Sequence, residues 1–150
     1  MDFKIQLKNY EGTKSYQVTK GYYKNDKFWT YNDSLGYPTI GYGHLILKGE
    51  SFSNGLTEVE ADRLLDKDIG IARSGVASLK LNLPSDSRWN DFLVMMVFQL
   101  GLAGVKGFKR FLAALSNGNY ATAILEVKDS KWYRQTPNRV ESMITYVVRG

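Results

Sequence analysis

Apolar positions along this chain change their period several times, and each change marks an element. Phe3, Leu7 and Tyr10 recur at helical spacing, which predicts a short amphipathic helix over the first eleven residues, ended by Gly12. From Gly12 to about Gly55 that period is lost, and aromatics, polar residues and turn formers replace it. Within this stretch GYYKNDKFWTY predicts a hairpin turning at Asn25-Asp26, and YPTIGYGHLIL predicts a further strand. A small sheet is expected here.

Helical spacing returns in LTEVEADRLLDKDIGIARSGVASL. Thr57 followed by Glu60 is a capping-box pattern, Leu64, Leu65, Ile69 and Ile71 supply an apolar side, and the helix is expected to run to about Leu79. Pro84 then interrupts, and Ser85 or Ser87 caps the next helix. WNDFLVMMVFQLG is apolar on nearly every side, which predicts a buried central helix. GLAGVKGF reads as a glycine-rich turn between helices, and it lacks the lysine-serine ending of a phosphate-binding loop. FKRFLAALSNG and ATAILEVKDSKWY predict two more helices. In a last one, Thr136 caps, Pro137 takes the first helical position, and the helix runs towards Val148.

These elements predict a single α+β domain over 1–150. A sheet-containing lobe spans 12–56, with helix 1–11 packing near a helical lobe; a long connector helix spans about 57–79, and the all-helical lobe about 80–150. A length of 150 residues suits one domain with a real core. There is no cysteine and only one histidine, which excludes disulfides and thiolate metal sites, makes a zinc site improbable, and suits a reducing compartment. MDFKIQLKNYEG carries early charges and has no signal-peptide apolar core, and no stretch approaches a membrane span. A net charge of +5 with pI near 9.3 favours a polyanionic partner, whether nucleic acid, anionic lipid or an anionic wall polymer. The basic residues do not cluster as a recognition helix or a basic tail would.

Candidate chemistry rests on carboxylates. Glu11 falls at the C-terminal end of the first helix, where the macrodipole disfavours negative charge and a carboxyl tends to keep its proton, as a general acid must. A surface glutamate at a frayed helix end would have the same position. Asp33 in NDSLG suits an Asx-turn, Thr39 suits a strand position facing solvent, and His44 suits a structural hydrogen-bonding role. His44 lies just past a strand and near an aspartate-rich helix, so Asp68 is its expected partner.

In combination these residues carry more. Glu11-Gly12, then Asp33, then GYPTIGYGH, with MMVFQLG, GVKGF and SKWYRQTPNR downstream, resemble the phage-type lysozymes, the muralytic family typified by T-even phages. The resemblance covers nearly the whole chain and implies a lysozyme-like α+β fold. It implies Glu11 as the general acid, Asp33 and Thr39 as holders of the attacking water, and Arg139 as a supporting partner of Glu11. His44 is a further supporting residue, and Gly43, Leu45, Phe98 and Phe111 would contact sugar. It implies no cofactor and no metal. The partner would be bacterial peptidoglycan rather than nucleic acid or membrane, with the enzyme acting as a monomer. The protein would be made in a host cytoplasm and reach the periplasmic wall after holin-type release or from the virion. Hydrolysis between N-acetylmuramic acid and N-acetylglucosamine is the expected reaction. A lytic transglycosylase and a non-catalytic wall-binding or tail module are the rivals.

Two departures stand out. The segment GTKSYQVTKGYYKNDKFW lengthens the span from Glu11 to Asp33 and contains Asp26, a second candidate for the other acid. Its part GYYKNDKFW, as a long surface insertion, is expected to bear on substrate use more than on stability. Phe111 and Glu126 stand where relatives often carry small or amide residues.

Overall fold

In the computed structural model, which describes residues 3–33 and 36–149, the first helical period becomes α1 (Phe3–Glu11), with Leu7 fully buried. Gly12 ends it at φ 120°, a conformation that favours glycine. The chain divides into two units, 1–70 and 71–150. In the first unit α1 is followed by α2 (Lys14–Lys20), β1 (Tyr23–Lys24), β2 (Lys27–Phe28), β3 (Tyr31–Asn32), β4 (Pro38–Ile40) and β5 (His44–Leu45). The long helix α3 (Glu58–Ser78) crosses the division. Lys4 reaches Asp62 at 2.7 Å and Asp66 at 2.8 Å, and Lys8 reaches Asp62 at 2.9 Å, so three ion pairs tie α1 to the start of α3.

Helix α2 is an addition to the small sheet expected between Gly12 and about Gly55. Thr13 caps it by accepting from Tyr16 N–H at 3.1 Å, and Gly21 ends it at φ 80°. At seven residues it is shorter than the window in which apolar periodicity becomes legible. The hairpin at Asn25-Asp26 forms as expected. Both residues have positive φ, 55° and 61°, as the two-residue turns matching strand twist require. The single strand expected from YPTIGYGHLIL is two, β4 and β5, folded back at Gly41 and Gly43 (φ 64° and 80°). They join β3 in an antiparallel sheet of order β3-β4-β5.

The lengthened segment is architectural, contrary to expectation. Phe28 is 0% exposed, exchanges backbone hydrogen bonds with Leu56 at 2.7 and 2.9 Å, and packs edge-on to Tyr42 and Tyr23. The loop-closure argument fails because a segment that buries a phenylalanine is not acting as a loop. In α3 the capping box forms: Thr57 N–H donates to Glu60 Oε1 at 2.9 Å, and Glu60 N–H to Thr57 Oγ1 at 3.2 Å. Its buried stripe is Ala61, Leu65, Ala72 and Val76, while Ile71 is exposed rather than apolar-side, because it neighbours Ala72 and points away.

The second unit is helical: α4 (Arg88–Lys106), α5 (Lys109–Ser116), α6 (Tyr120–Lys128), α7 (Lys131–Gln135) and α8 (Pro137–Val148) come after the end of α3. Ser87 caps α4 through Trp89 N–H, and Phe92 to Met96 are fully buried, as the all-round apolar pattern requires. GLAGVKGF does hold the expected turn between helices, at Gly107-Phe108 between α4 and α5, but it opens with a break at Gly101 (φ 74°, ψ 160°), after which helix resumes to Lys106. The single helix expected over ATAILEVKDSKWY is two, with Ser130 capping α7 through Tyr133 N–H. Pro137 takes the first position of α8 as expected, but Thr136 does not cap it. Its hydroxyl donates to Trp132 O at 3.2 Å instead.

Replacing Phe28 by alanine should lower the unfolding free energy by about 3–5 kcal/mol, as for other fully buried phenylalanines. Tyr16→Ala, at a half-exposed site on α2, should cost about 0.5 kcal/mol or less. Urea denaturation of the two variants measures both, and a loss for Phe28→Ala as small as the one expected for Tyr16→Ala would show that the lengthened segment is peripheral.

Candidate active site

Glu11 is the last residue of α1, and the residue beside its carboxyl is a glycine. A methyl group built on Gly43 would stand 2.8 Å from Glu11 Cβ and 2.9 Å from Oε2, distances no real Cβ tolerates. Gly43 therefore has two reasons to be glycine, its positive φ and the carboxyl packed on its Cα. The turn between β4 and β5 is shaped to receive Glu11.

The sheet register gathers the other candidates. Tyr31 pairs with Thr39 and Thr39 with Leu45, so these three form one row across the sheet. Asp33 exchanges with Tyr37 beyond it: Asp33 N–H donates to Tyr37 O and Tyr37 N–H to Asp33 Oδ1, each at 2.9 Å. With a side-chain period of two, Tyr31, Asp33, Tyr37, Thr39 and Leu45 share one face. Ile40 and His44 take the opposite face, where His44 reaches Asp68 of α3. The Asx-type bonding expected of Asp33 is present and leaves it on the same face as Thr39. Thr39 does not point to solvent as expected. It is 4% exposed, and its hydroxyl donates to Tyr37 O at 2.9 Å.

Tyr31 was not among the candidates. Burial pushes its phenol up to about 12, and the negative charges of Glu11 and Asp33 push it the same way. It thus feels both carboxyls and stays neutral over any working pH. Its ring stacks on Tyr22 at 4.3 Å, 5° from parallel. The alternation of Tyr31 with Asp33 along one strand was the signal available in the sequence. Asp26, the other candidate acid, sits exposed in the β1–β2 turn.

Leu45 is 47% exposed at the row's edge. In the second unit, Phe98 is half-buried on α4, and Arg139 on α8 donates through Nη2 to Met95 O at 3.4 Å. Phe111 is corrected: at 1% exposure among the rings of Trp89, Phe92 and Phe108, it is a core residue and not a sugar contact. Among the described residues no three carboxylate or histidine side chains converge on a possible metal position.

His44 has the partner expected, and a second one. Its Nδ1 is 2.8 Å from Asp68 Oδ2, and its Nε2 is 3.0 Å from Glu50 Oε1. Burial alone would lower the imidazole pKa, but hydrogen bonds to Asp68 and Glu50 and their charges outweigh it, so the net shift is upward. Glu50 is held below its ordinary value by the Leu47 N–H and by His44. The ring therefore fastens the sheet to α3 and to the loop after β5, away from the Asp33 face.

The phage lysozyme family profile matches residues 26–145. The chain is 30% identical to "Probable T4-type lysozyme 1" of Dictyostelium discoideum, over 86% of this chain and 91% of that one. It is 29% identical to the endolysin of Salmonella phage P22, over 67% of this chain and 69% of that one. A third similarity, also 29%, is to the pre-baseplate central spike protein Gp5 of Enterobacteria phage T4, covering 80% of this chain and 25% of that one.

Because the folded pKa of His44 is raised, its stabilisation is fully present below the unfolded value of about 6.5 and fades as pH rises through the folded value. The lowered Glu50 contributes above its own unfolded value and is lost as pH falls through its folded one. Stability from this cluster should therefore peak on the acid side of neutrality. Urea midpoints from about pH 5 to 8 should decline for the wild type and flatten in His44→Gln. An NMR titration placing the His44 pKa below its ordinary value would contradict the assignment.

Proposed function

The chain belongs to the phage lysozyme family, and from that premise we propose that it is a peptidoglycan hydrolase whose general acid is Glu11. The observation that carries this reading is the seating of the Glu11 carboxyl against Gly43, beside a sheet whose one face bears Asp33 and Thr39. We place the cut at the β-1,4 bond between N-acetylmuramic acid and N-acetylglucosamine. Glu11 gives its proton to the glycosidic oxygen as the bond to the anomeric carbon breaks. Asp33 takes a proton from a water whose oxygen bonds to that carbon on the opposite face of the sugar. Two carboxyls are needed because one must arrive protonated while the other stays ionised.

Thr39 suits the water-holding role for a specific reason. Its hydroxyl hydrogen is committed to Tyr37 O, so it offers lone pairs, and a water donating to it turns its own lone pair outward. Gly43, Leu45 and Phe98 keep their sugar-contact roles, and Arg139 its supporting role, on the strength of the family resemblance. The net charge of +5 suits an anionic wall. The scheme uses no metal or organic cofactor and needs one copy of the chain. A phage role in host lysis fits the similarities to a phage endolysin and a phage spike protein. The enzyme would be made in the host cytoplasm and reach the periplasmic wall by holin-type release or on the virion.

Glu11→Gln should fold normally and lose at least ~10²-fold in turbidity-based lysis of outer-membrane-permeabilised cells, the low end of what a positioned acid contributes. Near-normal lysis would remove Glu11 from the role.

Hydrolysis should proceed with inversion. A water between acid and base sets the two carboxyls ~6.5–9.5 Å apart in inverting enzymes, against ~5–5.5 Å when the second attacks directly. Digestion in heavy-oxygen water should label the new reducing ends, and NMR before mutarotation should show the inverted anomer first. Unlabelled anhydro products, lighter by one water, would mean transglycosylation. A retained anomer would mean a covalent intermediate on Asp33.

A further inference from the structure

The segment that lengthens the span between Glu11 and Asp33 sends one polar side chain into the interior of the first unit. Gln17, in the middle of α2, is 1% exposed. Its amide nitrogen donates to Gly12 O at 3.1 Å and to Gly41 O at 2.8 Å. Both acceptors matter. Gly12 directly follows Glu11 and ends α1, and Gly41 opens the turn whose later residue Gly43 carries the Glu11 carboxyl on its Cα. One amide therefore spans the two backbone segments between which Glu11 is held. Turning the amide over would set its oxygen against two carbonyls, so the bonding itself decides which atom is nitrogen.

The other end of the amide makes the arrangement unusual. Gln17 Oε1 is buried with no hydrogen-bond partner among the described residues. A buried acceptor without a partner opposes folding, so the amide is not simply the most stable filling for this space. Its backbone is equally committed: Gln17 O accepts from Tyr22 N–H at 2.8 Å, and Tyr22 stacks on Tyr31. The added helix is thus wired to both ends of the candidate site.

We propose that Gln17 is a positioning residue for Glu11, locking the carbonyl that follows Glu11 to the turn that receives its carboxyl. The inference rests on the reading of Glu11 as the general acid. Loss of the clamp lets the end of α1 and the Gly41–Gly43 turn move independently. Catalysis is sensitive to displacements of an ångström, whereas binding of a long glycan spread over many contacts is not. Removing the clamp should therefore act on kcat rather than on KM.

The test compares Gln17→Met, Gln17→Glu and Glu11→Gln with a matched control, Met143→Ala, in the core of the second unit. All are assayed on soluble peptidoglycan fragments well below their melting temperatures. Gln17→Met fills the space but donates nothing, and should lose about tenfold or more in kcat with KM within about twofold. The alkaline limb of its pH–rate profile, which reports the acid, should also move. Met143→Ala should lower the melting temperature without either change. Gln17→Glu should show partial rescue at acid pH, where a protonated carboxyl still donates one hydrogen bond. Its activity should then fall as that carboxyl ionises, an ionisation the wild type lacks. Wild-type kcat and a superimposable profile in Gln17→Met would overturn the inference, as would a kcat loss equal to that of Met143→Ala at equal loss of melting temperature. If Gln17→Met does not fold, the Gln17→Glu profile decides, and one parallel to the wild type overturns it. Glu11→Gln separates the two failures: inactive Glu11→Gln beside fully active Gln17→Met removes only the positioning role, while active Glu11→Gln removes the function reading itself.

Discussion

The close approach of Glu11 to Gly43 is the contact on which the rest of the first unit turns. A carboxyl at the end of a helix has no reason of its own to lie against a sheet. Here it does so because the turn between β4 and β5 offers a Cα without a side chain, at a φ that only glycine adopts without strain. The turn must then be held at the right height relative to α1. That requirement explains why so much polar bonding converges on a small region: the Gln17 amide on Gly12 and Gly41, and the lysines of α1 on Asp62 and Asp66 of α3. It also explains His44, which fastens the same turn to α3 from the other face of the sheet.

The ion pairs and the imidazole differ in their contributions. Lys4, Lys8, Asp62 and Asp66 are part-exposed, so each pair is worth little in free energy and is weakened by salt. Their value lies in fixing where α1 starts and ends along α3. His44 is buried and held between two carboxylates, which raise its pKa, so its contribution fades as pH rises through the folded value. Unit one is thus set by few apolar contacts and many directional ones. Unit two is the reverse: α4 fully buries five consecutive residues, Phe92 to Met96, and an internal polar bridge runs from Trp132 Nε1 to Gln99 Oε1 at 2.8 Å.

The aromatic face adds a chemical property to this geometry. Tyr31 lies where the charges of Glu11 and Asp33 are both felt, and burial with those charges holds its phenol neutral. The stacked Tyr22 comes from the added segment, which therefore supplies a fully buried phenylalanine, a buried amide and half of a ring stack. That segment is a structural part of this protein's sheet lobe.

Strong local patterns were legible in the sequence. The helical spacing of Phe3, Leu7 and Tyr10, the capping box at Thr57 and Glu60, the all-round apolar run of α4 and the Asn25-Asp26 hairpin each depend on residues close together in the chain. Glu11, Asp33 and Thr39 were legible as candidates for the same reason, since their motifs are contiguous. Short or interrupted elements were not: α2 is below the length at which a period shows, and the breaks at Gly101 and Asp129-Ser130 fall inside runs read as continuous. Phe111 looked available for sugar because hydrophobicity along a helix does not say which neighbours surround it, and the fold buries it among three rings. The same limit hid Tyr31 and Gln17, whose partners lie on other elements. The sequence by itself determined what local propensity and short-range spacing control: most of the elements, and a short set of candidate acids, Glu11, Asp33 and Asp26. Which side chains meet, which are buried, and how Glu11 is held came only from the tertiary structure, because burial and hydrogen bonding depend on contacts between residues far apart in the chain.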